Sequence, residues 1–160
     1  MDELVLNNRR LKLVDGEIWS WKPTKNPYWR KVKYTINNKG YSYIQLTYNK
    51  ITKYYMVHRV IYKFYNTEWD MTYTPDNQID HYDNNKKNNN IENLRIVTHS
   101  ENGQNKVTTK GYYWAKKDKK YRAQIRANKK CYNLGTYDTA EEAREAYLIA
   151  KNKYHIDCYL

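Results

Sequence analysis

Cysteine is scarce in this chain. The two residues, Cys131 and Cys158, lie far apart and form no Cys-x-x-Cys pattern. Structural zinc sites of the thiolate kind draw on closely spaced cysteines, so none is expected. The scarcity fits a reduced, intracellular setting. Long apolar runs are also missing. No stretch approaches the roughly 18 residues that a membrane span needs, so no membrane partner is expected. The start, Met1-Asp2-Glu3-Leu4, lacks the basic flank and apolar stretch of a secretory signal, which argues against secretion. Acidic residues are few beside basic ones, 17 against 29, which leaves a net charge of +12.

What the chain does hold is aromatic, amide and basic. Aromatic residues make up 16% of its 160 positions, and nearly all are Tyr or Trp. Such rings bury much area while their polar tips stay wet, so they can build the core of a small module. A basic chain rich in Tyr, Arg and Lys points to nucleic acid before it points to a membrane. The excess of Asn, Lys, Tyr and Ile suggests an AT-rich genome, compatible with a phage or large virus. The length allows one ordinary domain or two small ones.

Three stretches differ in pattern. In the first, residues 1–78, Leu11–Val14 and Glu17–Trp21 flank Asp15-Gly16, a hairpin signal. Tyr41–Tyr48 and Ile51–Val57 flank Asn49-Lys50, a second hairpin. Val57, Val60, Ile61 and Phe64 recur at helical spacing, which predicts a short amphipathic helix over Val57–Tyr65. The second stretch, 79–105, has Asn-rich turns, a short strand at Leu94–Thr98 and a brief helix from His99. In the third, 109–155, Tyr121, Ala123, Ile125 and Ala127 alternate with Arg122, Gln124 and Arg126. That is a strand with one small or apolar face and one basic face. Gly111–Ala115 and Lys130–Gly135 supply its neighbours. An Ala-rich helix follows Asp138, with Ala140, Ala143, Ala146, Tyr147 and Ala150 as its packing stripe.

The chemistry concentrates at Asp80-His81, followed by Asn93 and then Asn102. Hydrolysis of an anionic phosphodiester needs a positioned water, charge neutralisation and help for the departing oxygen. A magnesium ion takes few protein oxygens and keeps several waters. Asp80 and Asn102 offer one carboxylate and one amide oxygen. His81 has an imidazole suited to accepting a proton near neutral pH. Neighbouring side chains of a strand face opposite ways. Asp80 and His81 therefore serve one site only if the backbone bends or the phosphate sits between them. Each residue also has a plainer role open to it. His81 alone would pass for a turn residue, Asn93 for a turn cap, and Asp83 for an acceptor behind the site. His58 reads as a packing or hydrogen-bonding histidine. Arg59 is either a phosphate contact or a solvated charge. His99 competes with Asn102 for the last position.

The segment Ile79–Thr98, with Asn102 beyond it, resembles the core of the HNH endonucleases, in particular the zinc-free homing enzymes of phages and introns. Val57-His58-Arg59-Val60 matches a segment that often precedes this motif. The resemblance implies a ββα-metal fold, with His81 as general base and Asp80 and Asn102 as ligands of Mg²⁺ or another divalent cation. It implies that Asn93 orients the histidine and its loop. The C-terminal stretch resembles the DNA-binding domain of APETALA/ethylene-response-factor type. The matching residues are Lys110-Gly111-Tyr112-Tyr113-Trp114, Tyr121-Arg122-Ala123-Gln124-Ile125 and Leu134-Gly135-Thr136-Tyr137-Asp138-Thr139. The resemblance implies that the sheet enters the major groove, with Arg122, Gln124, Arg126 and Tyr113 as DNA contacts. Residues 107–130 support this with a run of basic side chains (Lys110, Lys116, Lys117, Lys119, Lys120, Arg122, Arg126, Lys129, Lys130) against the single acid Asp118.

The expectation is therefore an α+β chain: N-terminal antiparallel strands, a central HNH motif at 79–105, and a C-terminal three-stranded sheet packed on one helix. The domains are expected at 1–105 and 106–160. The expected function is Mg²⁺-dependent, site-preferring cleavage of double-stranded DNA. Its rivals are a catalytically quiet DNA-binding protein and an RNA- or ribosome-associated protein.

Overall fold

The computed structural model describes residues 3–106, 109–127 and 130–155. Cys158, Lys129, Met1 and Asp2 lie outside the described residues. The chain is a mixed α/β protein with several antiparallel sheets and, among the described residues, three helices. It divides into two compact units between Thr98 and His99, ahead of the 105/106 boundary expected from sequence.

The first unit opens with a four-stranded antiparallel sheet, β1 (Glu3–Leu6), β2 (Arg9–Val14), β3 (Glu17–Lys22) and β4 (Tyr28–Lys31), in that order. A second sheet holds β5 (Thr35–Ile36), β6 (Ser42–Tyr48) and β7 (Ile51–Met56). Both expected hairpins are present. Val14 faces Glu17 across Asp15 (φ 50°) and Gly16 (φ 74°), and Tyr48 faces Ile51 across Asn49 (φ 46°) and Lys50 (φ 65°). Two successive positive φ values give the turn whose twist matches that of the paired strands. Asn7 and Asn8 repeat the device between β1 and β2.

Helix α1 (Val57–Tyr65) spans the stretch expected of it. Its Val57, Val60, Ile61 and Phe64 enter a core shared with Leu11 and Ile18 of the first sheet and Ile44 and Leu46 of the second. Ile79 and Leu94 join from a two-stranded antiparallel pair, β8 (Gln78–His81) and β9 (Leu94–Val97). Burying each such aliphatic side chain contributes about 1.5–3 kcal/mol. One apolar cluster thus fixes β8, and with it Asp80 and His81, against the helix and both sheets.

The second unit starts with the short helix α2 (His99–Gln104). Strands β10 (Tyr112–Ala115), β11 (Lys120–Ala127) and β12 (Lys130–Tyr137) form an antiparallel sheet in that order. Helix α3 (Ala140–Tyr154) packs on it through Ala143, Tyr147 and Ala150, with Ile125 beneath. Ala123, Ile125 and Ala127 are buried, whereas Gln124 and Arg126 are exposed, so the period-two pattern of β11 is realised. Thr139 caps α3, accepting from the Glu142 N–H while the Glu142 side chain accepts from the Thr139 N–H.

Candidate active site

Strand β8 ends on the residues of interest. All four of its side chains are buried, Asp80 at 8% and His81 at 3% exposure. Asp80 stands opposite Arg95 of β9, and His81 opposite Leu94. The Arg95 guanidinium donates from Nε and Nη2 to Asp80 Oδ2, both at 3.2 Å. The same guanidinium lies 4.8 Å from the Tyr82 ring centre. A carboxylate this deep needs a positive partner, and Arg95 is one such partner.

His81 sits among other rings. Its imidazole lies 5.0 Å from that of His58, edge to face, and 5.9 Å from the Tyr41 ring. Its Nε2 is 3.0 Å from Asn89 Oδ1. With the proton on Nε2, Asn89 accepts it, and Nδ1 is then the basic nitrogen. Burial, with the nearby Asp80 charge, pushes the Tyr41 phenol above its ordinary value. Burial and the neighbouring His81 and Arg59 lower His58 to about 3. His58 is therefore a neutral ring at physiological pH, and its Nδ1 is buried with no hydrogen-bond partner among the described residues.

The loop that follows is held by amides. Asn93 closes a 3₁₀ turn (Ile91–Asn93) and uses its whole side chain. Its Oδ1 accepts from the Asp83 N–H at 3.0 Å, and its Nδ2 donates to Asp83 Oδ1 and the Asn88 carbonyl, both at 2.9 Å. Asp83 also accepts from the Asn85 N–H and from Asn88 Nδ2, each at 2.8 Å. Burial alone would raise the Asp83 carboxyl. The hydrogen bonds from Asn88, Asn85 and Asn93, with the nearby His81, outweigh it and hold the carboxyl below the ordinary range. Asn93 thus clamps the segment that carries Asn89 to His81.

The structure therefore brings Asp80, His81 and the Asn93-clamped loop together in the first unit. Asn102 lies on α2 in the second unit. His99 opens the same helix. Arg59 has work inside the first unit. It donates to the carbonyls of Met71 (2.6 Å) and Asn77 (3.3 Å), and stacks 4.8 Å from the Trp69 ring centre. In the second unit, Gln124 and Arg126 lie exposed on one face of β11. Arg122 is opposite Tyr113 and pairs with Asp118 at 2.5 Å. The Tyr113 and Asp118 contacts raise its already high pKa.

Sequence reasoning missed Asn89, Arg95 and Tyr41. Asn89 is hidden in an Asn-rich run that advertises turns only. Arg95 and Tyr41 reach the site through strand register and packing, which no local pattern encodes. As to metal, no group of three or more His, Cys, Asp and Glu side chains is gathered among the described residues. Within the first unit, Asp80 offers carboxylate oxygens, the donor type of a hard cation that keeps its waters.

Residues 55–104 match the HNH endonuclease family. That span contains His58, Asp80, His81, Asn93 and Asn102. The chain is also similar to an uncharacterised HNH endonuclease of Acanthamoeba polyphaga mimivirus, with 30% identity over 151 residues, 91% of this chain and 40% of that protein. Among solved structures, it is similar to the HNH homing endonuclease I-HmuI, described for DNA binding and cleavage. The identity there is 28% and the TM-score 0.47, covering 66% of this chain and 57% of that one. The chain thus spans less than two thirds of either relative's length. Outside 55–104 the HNH match does not extend. No helix among the described residues is long and apolar enough to cross a membrane.

Proposed function

We propose that the protein is a Mg²⁺-dependent, site-preferring endonuclease of double-stranded DNA, acting in a reduced intracellular setting. The observation that carries this reading is the placement of His81. It is a buried imidazole at the end of β8, held through Nε2 by Asn89, next in sequence to Asp80 and inside the span that matches the HNH endonucleases.

In this reading, His81 accepts the proton of the attacking water through Nδ1, the nitrogen opposite the Asn89 contact. Asn93 keeps that geometry by clamping the loop on which Asn89 rides. Asp80 and Asn102 would hold the metal, which when bound supplies positive charge to the phosphate and to the departing 3′-oxygen. Arg95 neutralises Asp80 in the meantime and restrains its carboxylate. Arg122, Gln124, Arg126 and Tyr113 are the DNA contacts of the second unit. Arg and Gln suit guanine and adenine edges.

Supercoiled plasmid with Mg²⁺ tests the proposal. The native protein should relax or linearise it, and His81→Ala should lower the rate by about 10²–10⁴-fold. Equal rates would remove His81 from the chemistry. The Arg95–Asp80 pair favours one rival, a DNA-binding protein that keeps the HNH shape and does not cut. Tight binding with no cleavage under any divalent cation would establish that rival.

A further inference from the structure

A cleft in the first unit lies between the β2–β4 sheet and β6, with a volume of about 490 Å³. Arg9, Lys22, Arg30, Lys31 and Lys33 line it, and no acidic residue does. Lys31 pairs with Glu17 at 3.1 Å. Among the described residues, Arg9, Lys22, Arg30 and Lys33 have no carboxylate partner. Strand register explains the cluster. Leu11, Ser20 and Arg30 stand opposite one another across β2, β3 and β4, so they share a face. That face is fully buried at Leu11 and Ile18 and becomes basic toward Arg9, Lys22 and Arg30. Burial, with the Arg9 and Arg30 charges, holds the Lys22 ammonium below its ordinary value.

Ser20 sits among these cations. It lines the cleft, is 3% exposed, and its Oγ is buried with no hydrogen-bond partner among the described residues. An unmet hydroxyl beside unbalanced cations costs free energy in the empty protein. An anion with several acceptor oxygens removes both costs at once. Thr35, Gln45 and Thr47 add further polar groups to the lining.

We infer that this cleft is a phosphate-binding site that takes the backbone of a DNA strand, gripping it through Arg9, Lys22, Arg30 and the Ser20 hydroxyl. The inference rests on the nuclease reading only in taking DNA as the source of the phosphate.

The test is anisotropy of a labelled duplex bound by the full chain in EDTA, where cleavage is silent, across a salt series. Lys22→Gln with Arg30→Gln should weaken binding by roughly tenfold or more and reduce the log–log salt slope by about 2. Removing the same charge elsewhere, at the exposed Lys50 and Lys53, should do clearly less. Ser20→Ala should lower affinity a few-fold with the slope unchanged, while the thermal midpoint holds or rises because an unmet hydroxyl is gone. A merely structural serine would not split those two readouts. Equal effects from the cleft pair and the Lys50/Lys53 pair would overturn the site. Pyrophosphate at constant ionic strength separates the sources. If it stabilises the native chain but not the cleft variants, and DNA affinity is the same in all of them, the ligand is a free phosphate compound and the DNA inference fails. A native chain that cuts plasmid while cleft variants bind normally sinks the cleft alone. A native chain that neither binds nor cuts sinks both readings.

Discussion

Asn89 holds the imidazole that the proposed chemistry depends on, and it does so through one hydrogen bond of 3.0 Å. Such a bond contributes about 1 kcal/mol net, so Asn89→Ala should slow plasmid nicking roughly fivefold by loosening the ring. Duplex affinity in EDTA should be unchanged. A rate equal to that of the native chain would show that the ring is fixed by other means. His58 makes a prediction of a different kind. Its ordinary value is 6.5, and the folded chain lowers it to about 3. Between those values the unfolded chain binds the proton and the folded chain does not. Stability should therefore fall as pH drops below about 6.5, by at most ~1.4 kcal/mol per pH unit from this group. Above that range His58 contributes no pH dependence. His58→Gln should flatten this limb, as read from urea midpoints at pH 7 and pH 5. At this scale, Asp80, His81 and Asn93 stood out in the sequence by type and spacing, and the fold places all three in the first unit. Asn89, Arg95 and Tyr41 were not, because their roles come from contacts made only after folding.

The elements differ in how openly the chain announces them. Asp15-Gly16 and Asn49-Lys50 marked two hairpins, since a tight turn with two positive φ values needs such residues. The α1 span was legible from its apolar spacing, and β11 from its alternation. Strands β1, β4 and β5 were not. β4 reads Tyr-Trp-Arg-Lys and alternates poorly, and β5 has only two residues. Their pairing is set by neighbours, not by their own pattern. The second unit offers a sharp packing test at Gly111. Its φ is +76°, and a Cβ there would lie 2.0 Å from the Tyr147 ring. Tyr147 is buried on the sheet-facing side of α3 and cannot easily yield. Gly111→Ala should destabilise this unit by about 2 kcal/mol or more, through the clash and the backbone strain together. Thr139→Ala, which removes the α3 cap, should cost about 1 kcal/mol. Thermal unfolding of both variants checks the order. A Gly111→Ala variant as stable as the native chain would contradict the close approach of β10 to α3.

For the whole molecule, positive charge is the property that the two units share. The net +12 is carried by both, in the Arg9–Lys22–Arg30 cleft of the first and at Lys120, Arg122 and Arg126 of β11 in the second. Duplex affinity should therefore fall steeply with salt, and substitutions in the two units should reduce the slope additively. In the proposed chemistry, Asp80 and His81 act on one phosphodiester in different roles. Plasmid nicking measured against Mg²⁺ concentration separates those roles. Asp80→Asn should shift the curve to higher Mg²⁺, while His81→Ala should stay about 10²–10⁴-fold below the native rate at every concentration. Native-like curves from both variants would rule out both roles.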